Sequence, residues 1–85
     1  MSKIIPSSQV TAAVDSRGLH LSLRPSALPL PTEIIIRTGE PVKAMMKVSA
    51  VVSCDGCLGP RKGYVSQISS DNGFLIVSIM LNPPE

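Results

Sequence analysis

Apolar and polar side chains alternate with a period of two along most of this chain, and nowhere with the 3.6 period of an amphipathic helix. Val10, Ala12 and Val14 alternate with Thr11 and Ala13, which predicts a strand over 9–14. Leu19, Leu21 and Leu23 alternate with His20, Ser22 and Arg24, which predicts a second strand with one dry and one wet face. Asp15-Ser16-Arg17-Gly18 between them has turn composition, so the two strands are expected to form a hairpin. Pro25, Pro29 and Pro31 interrupt the pattern and favour extended, irregular backbone.

Ile34-Ile35-Ile36 marks the next strand, expected over 32–38, and Gly39-Glu40-Pro41 the turn after it. The longest alternating run covers 42–53. It sets Val42, Ala44, Met46, Val48, Ala50 and Val52 against Lys43, Met45, Lys47, Ser49, Val51 and Ser53. Twelve residues is long for one strand, so a bend or bulge is expected inside it. The segments 64–71 and 74–81 flank Asn72-Gly73, the strongest two-residue hairpin signal. That turn predicts Ser70 opposite Leu75, Ile68 opposite Val77, Ser66 opposite Ile79 and Tyr64 opposite Leu81. The last strand is apolar on both faces, because Phe74, Ile76 and Met80 share its second face with Ser78.

These elements predict an all-β chain: a small five- or six-stranded antiparallel barrel, with a two-sheet sandwich as the rival. Eighty-five residues suffice for one domain over 1–85 and not for two. Hydrophobic residues make up 44% and charged residues 16%, the reverse of a disordered composition. With one Tyr, one Phe and no Trp, the core must be aliphatic. So much apolar surface on a small chain predicts burial between subunits, as a homodimer. No apolar run approaches the ~18 residues of a membrane span. No hydrophobic signal region follows Met1, so a cytoplasmic location and reduced thiols are expected.

Candidate chemistry is sparse. Cys54 and Cys57 form a lone C-x-x-C around Asp55-Gly56. The pair reads first as the flanks of a tight turn, then as half a metal site, then as a redox pair. No cofactor is called for. His20 has no assignable nucleophile or orienting acid, and no two carboxylates stand together for acid–base work, so an enzyme is not expected. Net charge is +2. Its basic residues give the one extended candidate surface. Arg17 and Arg24 belong to one hairpin, Lys43 and Lys47 to the wet face of the long strand, and Arg61-Lys62 to a loop. Such a set can track phosphates, or simply keep a greasy chain soluble.

The layout resembles the single-stranded DNA-binding proteins of filamentous bacteriophages. Ile5-Pro6-Ser7-Ser8-Gln9-Val10 is similar to the start of that family, and Ser16-Arg17-Gly18 to its Arg-Ser-Gly turn with two residues exchanged. Arg24-Pro25 stands where the family has Lys-Pro, with Leu28 at the family's spacing. Gly39-Glu40-Pro41-Val42 resembles its entry into a long strand, and Leu81-Asn82-Pro83 its end. The resemblance implies an OB-like barrel that dimerises and coats single-stranded DNA, with RNA as a further ligand, in the host cytoplasm. It implies phosphate contacts from Arg17 and Arg24, a groove lined by Lys43, Lys47, Arg61 and Lys62, and base packing by Leu28 and Tyr64. Ser26 and Ile34-Ile35-Ile36 stand where the family has aromatics, so affinity is expected chiefly from phosphates. The alternative is a small viral structural, assembly or inhibitory interaction module that binds no nucleic acid.

Overall fold

The computed structural model describes residues 2–27, 31–52 and 61–82. Seven strands form one sheet: β1 (Ser2–Ile4), β2 (Val10–Asp15), β3 (Gly18–Leu23), β4 (Glu33–Thr38), β5 (Lys47–Val52), β6 (Arg61–Asp71) and β7 (Phe74–Leu81). The only helical pieces among the described residues are two 3-10 turns, Ser7–Gln9 and Pro25–Ala27. The all-β expectation holds. The sheet runs β1-β4-β7-β6-β5-β3-β2 and is open and mixed rather than antiparallel, with β1 parallel to β4 and β3 parallel to β5. The expected count of five or six missed β1, whose three residues are too few to show an alternation.

Both predicted hairpins form. The β2–β3 pair runs from Val10 opposite Leu23 to Asp15 opposite Gly18. Gly18 has φ +127, and a Cβ there would collide with the carbonyl oxygen of Lys47. Glycine is what lets the hairpin tip lie against the start of β5. After β3 the chain crosses to β4 on the far side of the sheet. It returns to β5 beside β3, and the β5–β6–β7 meander fills the middle.

The edge strands β1 and β2 are neighbours in the chain. Six inter-strand steps of ~4.8 Å would hold the edges of a flat sheet ~29 Å apart. The six Cα steps from Ile4 to Val10 reach at most ~21 Å even when fully extended, and a 3-10 turn shortens them. The sheet is therefore curled. Its concave side holds the core: Leu19, Leu21 and Leu23 of β3, Ile34 and Ile36 of β4, Val48 and Ala50 of β5, Val65 of β6, and Val77, Ile79 and Leu81 of β7. Ile5 and Val42, outside the strands, complete the buried cluster. Among the described residues every buried hydrophobic side chain is aliphatic, as the composition required, and Thr38 is buried with them.

Two expectations are corrected. The run over 42–53 is not one strand, because β5 begins only at Lys47. Met45 takes φ 65, its N–H donates to the Val65 carbonyl, and the Val65 N–H donates to the Met46 carbonyl. Two residues thus oppose one, the bulge anticipated for a run of this length, and the 42–46 segment before β5 is a turn. The β6–β7 register is as expected from Ser70 opposite Leu75 to Ile68 opposite Val77, then slips at a bulge between Val65 and Gln67. Val65, not Ser66, faces Ile79, and Tyr64 faces Met80. The core takes both Val65 and Ile68, three positions apart, and strict alternation cannot bury both.

Candidate nucleic-acid interface

Strand pleating sends every second residue of β3, β5 and β6 to the convex face, where cross-strand partners stand side by side. One row across these strands reads Ala13, His20, Ser49 and Lys62. The next reads Lys47, Tyr64, Met80 and Glu33. Lys47 and Tyr64 are direct partners, and Lys62 follows Tyr64 on the same face, ~6.7 Å along the strand. Arg17, at the hairpin tip, lies toward the Lys47 end because Gly18 abuts the Lys47 backbone. Arg24 marks the opposite end, just beyond β3. The structure therefore joins Lys47, Lys62 and Tyr64 on one exposed face bracketed by Arg17 and Arg24.

Lys43 sits in the turn ahead of β5 and does not share a strand face with Lys47, contrary to expectation. Arg61 opens β6, but its Nη2 and Nε donate to the Asn82 carbonyl at 2.8 and 3.2 Å, and its Nη1 points to the Pro31 carbonyl at 3.5 Å. It straps the end of β7 to the segment before β4. Leu28, Cys54 and Cys57 lie outside the described residues. Among the described residues no three of His, Cys, Asp and Glu are grouped to hold a metal.

The strands that carry Lys47, Lys62 and Tyr64 bring few carboxylates to this face. Glu33 ends the row that runs through Lys47, Tyr64 and Met80, two strands beyond Tyr64. Glu40 follows β4, and Asp71 lies at the tip of the β6–β7 hairpin. Asp15 stands at the end of β2. Its Oδ1 accepts the Arg17 N–H at 2.7 Å and the His20 Nε2–H at 2.9 Å. The Arg17 N–H, and after it the His20 ring, hold the Asp15 carboxyl below its ordinary value. The charge that would repel a polyanion is thus tied into the hairpin turn.

Pattern reading missed one further feature. The Arg37 guanidinium lies over the Phe74 ring, 4.5 Å from its centroid. The pair borders a groove that also meets Thr11 and Ala12 of β2 and Gly39. Arg37 is opposite Ile76 in the β4–β7 ladder, one step diagonal to Phe74, so the contact was legible only once that register was known. No family model matches this sequence, and no curated protein and no solved structure matches it.

Proposed function

We propose that this protein binds single-stranded nucleic acid, coating single-stranded DNA as a homodimer through phosphate contacts in the manner of the phage proteins it resembles. The convex face of β3, β5 and β6 carries this proposal, because Lys47, Lys62 and the 41% exposed Tyr64 are neighbours there. Arg17 and Arg24 extend it, and Asp15 and Glu33 lie at its margins. Lysines supply sequence-independent phosphate attraction, and a Tyr among them offers a surface on which a base can stack. The Arg37–Phe74 pair adds a second stacking plane, since bases pack on guanidinium as well as on aromatic faces. The short link between the edge strands and the inward aliphatic core support an OB-like barrel as the finer description of the curled sheet. RNA would meet the same phosphate contacts.

Anisotropy of a labelled oligothymidine at ~50 and ~200 mM salt tests this, because each single-strand phosphate contact adds about −0.7 to the slope of log K against log salt. Replacing Lys47 and Lys62 by Ala is expected to flatten the slope by about 1.4 per subunit, at one contact each. Absence of binding by the unaltered protein at ~50 mM salt, where such contacts are strong, overturns the proposal. The exposed apolar side chains Ile4, Met45 and Val51 favour the second reading, an assembly or interaction module, which would then stand.

A further inference from the structure

A groove of about 520 Å³ lies at the end of the β2–β3 hairpin away from its tip. Its polar lining comes from Gln9, Thr11, Ser22, Arg24 and Ser26, and no carboxylate lines it among the described residues. Thr11 and Ser22 are cross-strand partners and both exposed, so their hydroxyls stand together on the convex face. The Arg24 N–H donates to the Gln9 carbonyl at 3.0 Å, which fixes the two walls to each other. One guanidinium, three hydroxyls and one amide thus gather around one opening. Asp15, the carboxylate of this hairpin, stands four residues along β2 from Thr11, ~13 Å away at strand rise.

Hydroxyl and amide donors with one guanidinium and no competing carboxylate suit an oxyanion. The planar fork of arginine matches two oxygens of a phosphate, and the hydroxyls can donate to the others. We propose that this groove is a phosphate subsite, with Arg24 supplying the charge and Thr11, Ser26 and Gln9 the remaining donors. For its macromolecular source it rests on the nucleic-acid proposal above: the phosphate belongs to a strand that crosses the Lys47–Lys62 face and leaves over the hairpin. The groove gives that strand a fixed end point.

Orthophosphate and a short oligothymidine are titrated separately into the ¹⁵N-labelled protein, following its amide resonances. Both are expected to shift Thr11, Ser22, Arg24 and Ser26. Arg24→Ala is expected to weaken oligothymidine about tenfold, the size of a charge-assisted hydrogen bond. Arg24→Lys should keep the salt slope while regaining only part of the affinity, since it keeps the charge and loses the fork. Arg24 is exposed, so these changes leave the core intact. If oligothymidine binds Arg24→Ala as tightly as the unaltered protein, the subsite is overturned and the nucleic-acid proposal stands. If oligothymidine does not bind while orthophosphate still shifts these residues, the subsite stands for a small phosphate ligand and the nucleic-acid proposal falls. Unmoved resonances at these residues with both probes overturn the subsite.

Discussion

Asp15 shows how one side chain serves both fold and surface. It ends β2, accepts from the Arg17 backbone and the His20 ring, and so closes the two-residue turn that displays Arg17. Its folded-state acidity is raised, with the pKa held below the ordinary carboxylate value. A carboxylate of lowered pKa stabilises the fold above its unfolded value and loses that contribution as pH falls through the folded one. Asp15→Asn is therefore expected to lower the thermal midpoint at pH 7. The difference from the unaltered protein should begin to shrink near pH 3.8 and fade below it. Thermal melts of both proteins at pH 7, 4 and 2.5 check this, and a difference that persists undiminished at pH 2.5 sinks it. The sequence marked Asp15 only as a turn residue. Its link to His20 follows from the pairing of Ala13 with His20, which places the ring beside the end of β2.

At the scale of elements, the chain shows where alternation stops being a guide. Strands β2, β3, β4 and β7 were legible because their apolar sets match the core almost residue for residue. The run over 42–53 deceived because a turn can keep an alternating pattern by chance, while only a backbone that leaves the β region reveals it. Met45 is that departure, 71% exposed and at φ 65 in place of the glycine such a bulge prefers. A left-handed residue other than glycine costs about 1–2 kcal/mol, and glycine's extra unfolded freedom takes back about 0.5–1 kcal/mol. Met45→Gly should then stabilise the protein by about 0.5–1 kcal/mol. For a chain of this size that is a rise of about 3–6 °C in Tm. A lower midpoint in a calorimetric scan would show that the bulge is not as described. The slip at Ser66 is of the same kind. The Ser66 hydroxyl donates to the Ser78 carbonyl at 3.1 Å, so the residue that breaks the alternation also stitches the bulge to β7. The basic face could be read only in part for the same reason. Lys47, Lys62 and Tyr64 are scattered in sequence and become neighbours through the β5–β6 register, while Arg61, adjacent to Lys62, pairs inward opposite Ala50 and straps the chain.

For the molecule as a whole, the two ends of the convex face differ in character. The β3–β5–β6 end is basic, whereas the β1–β4–β7 end carries an apolar patch between Glu33 and Arg37. Ile4 pairs with Ile35, Ile35 with Ser78, and Ile76 and Met80 flank Ser78 along β7. Ile4 is 73% and Phe74 45% exposed, and Ile35, Ile76 and Met80 are half-buried. The concave face of β7 is fully used by the core, so one copy of the chain leaves this second dry face uncovered. A second copy is the proposed cover, and it would leave both basic ends facing solvent for a strand to cross. Each large aliphatic side chain brought from water into such a contact contributes about 1.5–3 kcal/mol before the cost of association. Light scattering at micromolar concentration should report twice the 9.0 kDa chain mass. Replacing Ile76 and Met80 by Asp should halve that mass while leaving the circular dichroism spectrum of the sheet unchanged, since neither residue belongs to the core. The same variant should bind oligothymidine more weakly at low protein concentration, because a dimer gains from two linked basic faces and a monomer does not. A monomeric mass for the unaltered protein would remove the dimer and leave this apolar face to a different partner.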